Sequence, residues 1–190
     1  MSAGRAFWGW HELGSTWVDR LVNDAGVGAG DLVVDIGAGT GAITAALVAA
    51  GVKVIAVELH PGRAASLRRR FAGQPVIVVE ADAADLRLPR RPFRVVANPP
   101  FAVTTAIIRR LTHRGSRLEQ ADLVVPAWAA MRWTAGHGLG GAGPQPGFTF
   151  TLGRRVPPEA FRPASPVPAR VLRIARHVPE RAAGRSERRA

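Results

Sequence analysis

The sequence has 190 residues, no cysteine and a formal charge of +12, from 26 Lys and Arg against 14 Asp and Glu. That length holds one domain with a sizeable core, and the missing cysteines exclude a disulfide framework and a thiolate metal site. With no apolar run long enough to span a bilayer and no signal-peptide core in residues 1–10, a cytoplasmic protein without a membrane partner is expected. Lys53 is the single lysine, so the positive charge is carried by arginine. Such an excess suits a polyanion, nucleic acid above all, or a solvated basic surface.

Residues 1–14 crowd Phe7, Trp8 and Trp10 beside His11 and Leu13. These aromatics can stack on a base, close over a cofactor or fold back as a hydrophobic cap. Ser15 or Thr16 is expected to cap a helix with Trp17, Val18, Leu21 and Val22 on one face. A strand at Leu32–Ile36 is followed by Gly37, Gly39 and Gly41, then by a helix over residues 41–50 that Gly51 ends. A second strand at Lys53–Glu58 leads to a helix from Pro61 to about Phe71, and Val76–Glu80 is the third strand. After a polar stretch at 82–92, the strand Phe93–Ala97 runs straight into Asn98-Pro99-Pro100-Phe101. A helix over 104–111 and a strand over 121–125 follow; residues 126–134 fit a helix or a strand, and 136–147 read as a mobile loop. Residues 148–152 and 170–174 are the last strand candidates, expected as antiparallel neighbours at the sheet edge. The alternation predicts an α/β, Rossmann-like fold, a mostly parallel seven-stranded sheet with helices on both faces. Residues 1–177 are read as one domain. From Arg154 onward ten arginines face three glutamates, a net +7, and residues 178–190 are expected to form a disordered basic tail.

The glycine loop fits two cofactors. Gly37-x-Gly39-x-x-Ala42 matches a dinucleotide fingerprint, and Glu58 suits a ribose hydroxyl in either case. Two acids favour S-adenosylmethionine (SAM). Asp35 at the strand end would attract, directly or through water, the cationic amino-acid end of SAM and would repel a pyrophosphate. Asp82, after the third strand, is placed to accept from an adenine amino group.

Asn98-Pro99-Pro100-Phe101 carries the chemistry. Each residue before a proline is held out of helical geometry, so the loop is stiff. The Asn98 side-chain oxygen and the Pro99 carbonyl can act together as acceptors for one amino group. An amine conjugated to a base is a poor nucleophile; accepting its hydrogens draws the nitrogen towards tetrahedral geometry and frees its lone pair. Phe101 offers a ring for a flipped base, worth ~1–3 kcal/mol.

With the glycine loop, Glu58, Asp82 and the Asn98–Phe101 loop in place, the chain resembles the Erm / KsgA family of ribosomal RNA adenine N6-methyltransferases. The resemblance covers most of residues 11–177. The family's leading element corresponds to Trp10-His11-Glu12-Leu13, and its late pattern is recognisable at residues 156–163 and 167–174. It implies catalysis at Asn98, Pro99 and Phe101, and SAM contacts at His11, Leu13, Gly37, Gly39, Glu58, Asp82 and Asn98. It also implies a monomer acting on 23S ribosomal RNA before ribosome assembly is complete, conferring macrolide, lincosamide and streptogramin B resistance. The chain departs from the family at Pro99, usually aliphatic, and at Pro126, usually glutamine; the family's helical C-terminal domain is not expected here. Other readings remain: methylation of another rRNA adenine, a DNA adenine or a protein amide, an NAD oxidoreductase, or an RNA-binding module without catalysis. RNA phosphates are expected to meet Arg173, Arg176, Arg181, Arg185, Arg188 and Arg189, or else Arg109, Arg110, Arg114 and Arg117 around the catalytic face.

Overall fold

The computed structural model describes residues 11–137 and 146–177. β1 (Glu12–Leu13) and α1 (Ser15–Ala25) lead into β2 (Leu32–Ile36), α2 (Ala42–Ala49), β3 (Lys53–Glu58), α3 (Pro61–Arg70) and β4 (Val76–Glu80). β5 (Phe93–Ala97), α4 (Thr104–Thr112), β6 (Leu118–Pro126) and α5 (Ala127–Thr134) follow, then β7 (Phe148–Val156), β8 (Phe161–Arg162) and β9 (Ala169–Arg176). Seven strands form one sheet in the order β4-β3-β2-β5-β6-β9-β7. The strands from β4 to β6 pair in parallel. β9 runs antiparallel between β6 and β7, so β7 forms the edge. β1 and β8 pair separately, joining residues about as far apart in sequence as the described chain allows.

A strand inside a parallel sheet is buried on both faces, and its side chains alternate between two cores. Val34 and Ile36 of β2 join Val95, Ala97 and the α4 residues Ile107, Ile108 and Leu111. Val33 joins the opposite core, with Val18, Leu21 and Val22 of α1 and Ile43 and Leu47 of α2. Asp35 has the parity of Val33, so its carboxyl is directed towards α2.

Helix α1 corrects the expected cap. Ser15 is already helical, Gly14 holds the cap position, and no side chain caps it. A tertiary bond, from the Gly14 N–H to the Ala160 carbonyl at 2.8 Å, fixes the entry instead. At the other end the orphan carbonyls meet arginines of the sheet. Arg94 donates to the carbonyls of Ala25 (2.5 Å) and Gly26 (2.9 Å), and Arg173 donates to that of Asp24 (2.6 Å).

Residues 127–134 prove helical, which sends the two tryptophans to different surroundings. Trp133 is buried and stacked on Phe150, with ring centroids 5.5 Å apart, while Trp128 is exposed. Phe7, Trp8 and Trp10, most of the expected mobile loop and the tail at 178–190 lie outside the described residues.

Gly41 shows how tightly α2 and α3 meet. Its φ is +88°, and a Cβ there would sit 2.7 Å from both Leu67 Cδ2 and Phe71 Cε2. Gly41→Ala combines backbone strain with overpacking, and we expect a loss of about 3 kcal/mol in urea unfolding. A change under about 0.5 kcal/mol would mean that α3 yields freely.

Candidate active site

The chain leaves β2 towards β3 on one side and later fills β5 on the other. The loops beyond these strands therefore part, opening a crevice at their carboxyl ends. A cavity of about 570 Å³ lies there, walled by Gly37, Glu58, Asp82, Asn98 and Phe101 and by His11 from the chain's leading segment. This volume is in the range of a cofactor-sized pocket. Among the described residues no cluster of His, Asp and Glu has the arrangement of a metal site, and no helix is long and apolar enough to cross a membrane.

The glycine loop reaches the cavity through Gly37. Its φ is +78°, and a Cβ there would lie 3.1 Å from Pro100 Cδ, so the first loop residue packs closely against the Asn98–Phe101 segment in a backbone conformation that favours glycine. Four of the loop amides already have partners. Those of Gly37 and Ala38 donate to the Val57 carbonyl at 2.9 Å each, and that of Gly41 to the Ala38 carbonyl at 2.8 Å. The Gly39 amide donates to Glu58 Oε2 at 2.9 Å. Gly39 therefore braces Glu58 from outside the cavity wall.

Glu58 closes β3 and is nearly enclosed. Its other oxygen accepts from the His60 amide (2.8 Å) and the Arg63 guanidinium (3.2 Å). The acid read from the sequence as a ribose acceptor is thus also the post to which the glycine loop and the start of α3 are tied. Arg63, in the cavity wall, was not anticipated. Its signal was an arginine in the first turn of a helix, where the macrodipole disfavours a cation unless an acid stands close by. Asp82 is exposed beyond β4, with one oxygen accepting from the Ala84 amide at 2.8 Å.

Asn98 is half-buried, and its Nδ2 donates to the His11 carbonyl at 2.8 Å. With the amide nitrogen held there, the side-chain oxygen is the acceptor left for a donor in the cavity. Pro99 is buried and supplies the neighbouring carbonyl. Phe101 meets Phe161 edge to face at 6.4 Å, and the His11 ring meets the same Phe161 at 6.5 Å. His11 Nδ1 lies 3.0 Å from the Pro163 carbonyl. The β1–β8 pair thus brings the leading segment against the Asn98–Phe101 loop. Glu12 accepts from the Thr40 hydroxyl, tying that segment to the glycine loop as well.

Four expectations are corrected, the first being Gly39, which stands behind Glu58 and not in the cavity wall. Leu13 is not in the cavity wall; it is buried in the core beside α1. Asp35 is enclosed and does not reach the cavity; one oxygen accepts from Thr44 Oγ1 at 2.7 Å, and burial pushes its carboxyl up to about 7. Arg173 and Arg176 have structural work: Arg173 pairs with Asp122 at 2.8 Å, and Arg176 donates to the carbonyls of Leu118 (2.8 Å) and Ser116 (2.6 Å). Arg181, Arg185, Arg188 and Arg189 lie outside the described residues.

A parallel sheet with one reversed strand, a glycine loop after its first long strand and acids after the next two define the Rossmann-like methyltransferase class. The family description "Ribosomal RNA adenine dimethylase" matches residues 11–185, and the chain belongs to that family. It is 36% identical over 177 residues to the mycinamicin-resistance protein MyrB of Micromonospora griseorubida, covering 88% of this chain and 56% of that protein. It is 38% identical over 152 residues to the ribosomal RNA small subunit methyltransferase A of a Synechococcus strain, covering 75% of this chain and 54% of that protein. The crystal structure of the 23S rRNA methyltransferase ErmE superposes with a TM-score of 0.75 at 25% identity, covering 86% of this chain and 68% of that one. The chain spans little more than half the length of the two curated relatives.

Proposed function

We propose that this chain binds SAM in the 570 Å³ cavity and methylates N6 of an adenosine in ribosomal RNA, with 23S rRNA as the target and macrolide, lincosamide and streptogramin B resistance as the consequence. The observation that carries the reading is Asn98. It stands at the carboxyl end of β5 with its Nδ2 held by the His11 carbonyl and its oxygen left to accept. The likeness to the 23S rRNA methyltransferase ErmE supports the target, and that to the mycinamicin-resistance protein MyrB supports the resistance.

The cavity fits SAM better than a dinucleotide. A pyrophosphate needs free loop amides, and those of Gly37, Ala38, Gly39 and Gly41 are bonded within the protein. Asp82 offers a carboxylate to an adenine amine or a hydroxyl, and Glu58 lies beside it in the wall. When bound, SAM supplies an electrophilic methyl group on a sulfonium. Asn98 and the Pro99 carbonyl accept from the target amine, Phe101 stacks on its base, and the amine loses its proton to solvent after alkylation.

The small subunit methyltransferase relative supports a second reading, in which the adenosine lies in 16S rRNA. Methyl transfer from labelled SAM to protein-free 23S rRNA, with 16S rRNA, DNA and protein as competing acceptors, separates these targets. We expect label in 23S rRNA at adenine N6; label in DNA or protein alone would overturn the proposal. Asp82→Ala should weaken SAM binding in calorimetry by about 1–2 kcal/mol, with no measurable NAD binding in either protein. NAD affinity without SAM affinity would return the loop to the dinucleotide reading.

A further inference from the structure

Between Leu86 and Leu118 the sequence holds eight arginines and no Asp or Glu. The fold does not spread them evenly. Arg90, Arg110, His113 and Arg117 meet around a polar cleft of about 480 Å³, floored by Leu88 and Pro89. Arg117 immediately precedes β6, and its carbonyl accepts from the Phe93 amide at the start of β5. The cleft therefore lies at the amino ends of β5 and β6, the end of the sheet opposite the cavity. This corrects the sequence expectation that placed Arg110 and Arg117 around the catalytic face.

The cleft residues are not all explained by the fold. Arg110 is anchored, its Nε donating to the Leu86 carbonyl at 2.7 Å and its NH2 lying 3.8 Å from Asp85. It also sits in the last turn of α4, where a cation complements the helix dipole. Arg90 and Arg117 have no such reason. They come from the loops before β5 and β6, are exposed, and have no acid partner among the described residues. His113 Nδ1 accepts from the Gly115 amide at 2.9 Å, so the neutral ring carries its proton on Nε2, as a donor. Three guanidiniums and this donor around one open, acid-poor cleft match phosphate oxygens.

We propose that this cleft holds backbone phosphates of the RNA substrate, well away from the adenosine at Asn98. The proposal rests on the RNA reading above. From Phe93 to Asn98 the chain climbs about 17 Å, so a stacked RNA strand touching both places extends over about five base steps. The cleft lengthens the footprint of the protein on RNA and adds affinity without touching the reacting groups.

The test is Arg90→Gln combined with Arg117→Gln, both exposed positions, measured by RNA binding without methyl transfer. For a fragment of 23S rRNA some tens of nucleotides long, affinity should fall at least tenfold at low salt. The slope of log K against log salt should become shallower by about 1.4–1.8, the loss of two phosphate contacts. Binding and methylation of a four-nucleotide RNA containing the target adenosine, SAM affinity and melting should stay as in the parent. Arg90→Lys with Arg117→Lys should restore most of the salt slope. An unchanged slope on the long RNA, or an equal loss on the short one, would overturn the proposal. So would saturable binding of inorganic phosphate that the Gln variant abolishes without changing long-RNA affinity, which would mark a small-anion site. Failure of the parent protein to methylate any RNA while the long-RNA slope still responds would sink the methylation reading and leave the cleft.

Discussion

Asn98→Ala should lower methyl transfer by roughly 10²–10³-fold while the protein melts as the parent does. The loss should fall mainly on kcat, because the Asn98 oxygen matters most when the target amine becomes tetrahedral and charged. Little stability is at stake, since the side chain is half-buried and bonds the protein through Nδ2 to the His11 carbonyl. Asn98→Asp separates orientation from mere presence of an oxygen. A carboxylate has no hydrogen for the His11 carbonyl, so it would be repelled from the position that Nδ2 holds at 2.8 Å. That variant should be as slow as Asn98→Ala. A folded Asn98→Ala protein that keeps more than about a tenth of parental turnover would remove Asn98 from the proposed role.

The parts of the fold legible in the sequence are those whose determinants are local. Leu32–Ile36, Lys53–Glu58, Val76–Glu80 and Phe93–Ala97 are short apolar runs closed by an acid, a glycine or an asparagine, and each is a strand with the expected bounds. The sequence predicts β6 short, as 121–125 rather than Leu118–Pro126, because Glu119 and Gln120 break the apolar pattern ahead of Ala121. Asp122 is tolerated inside the sheet because Arg173 and Gln120 bond its two oxygens. The arginine stands 51 positions away on β9, and no local pattern announces it. The β1–β8 pair was hidden for the same reason: two residues are too few to carry a period, and their partners are distant.

The candidate site shows the same division. Gly37, Glu58, Asp82, Asn98, Pro99 and Phe101 are legible because each ends or follows a strand of the parallel sheet at its carboxyl end, and all of them reach the cavity wall. Leu13 belongs to the same leading motif as His11, but its side chain packs among Val18, Leu21 and Val22 of α1 and so enters the core instead of the cavity. Asp35 is a case where strand parity was decisive. It was read as an acid at a strand end, yet it lies within β2 and one residue short of its last position, so α2 covers it.

That burial makes Asp35 the source of a distinct pH dependence. Enclosure in the core pushes its carboxyl up to about 7; the Thr44 hydroxyl and amide oppose the shift, and the charge of Glu58 adds to it. The second oxygen has no hydrogen-bond partner. In the unfolded chain the group titrates near its ordinary value, 3.8. Between the two values the folded protein holds a proton that the unfolded chain has released, so stability falls as pH rises from about 4 to 7. Below that window the side chain is neutral in both states and brings no penalty. Above it the full cost of a buried carboxylate is present, at most on the order of 4 kcal/mol from the linkage relation. Asp35→Asn keeps the shape and an acceptor for Thr44 but cannot ionise. Its unfolding free energy should therefore match the parent near pH 4 and exceed it by up to that amount at pH 8. Its own stability profile between those values should be flatter. Parallel profiles for the two proteins across this range would show that Asp35 is ionised in the folded state throughout, with the Thr44 bonds outweighing the burial.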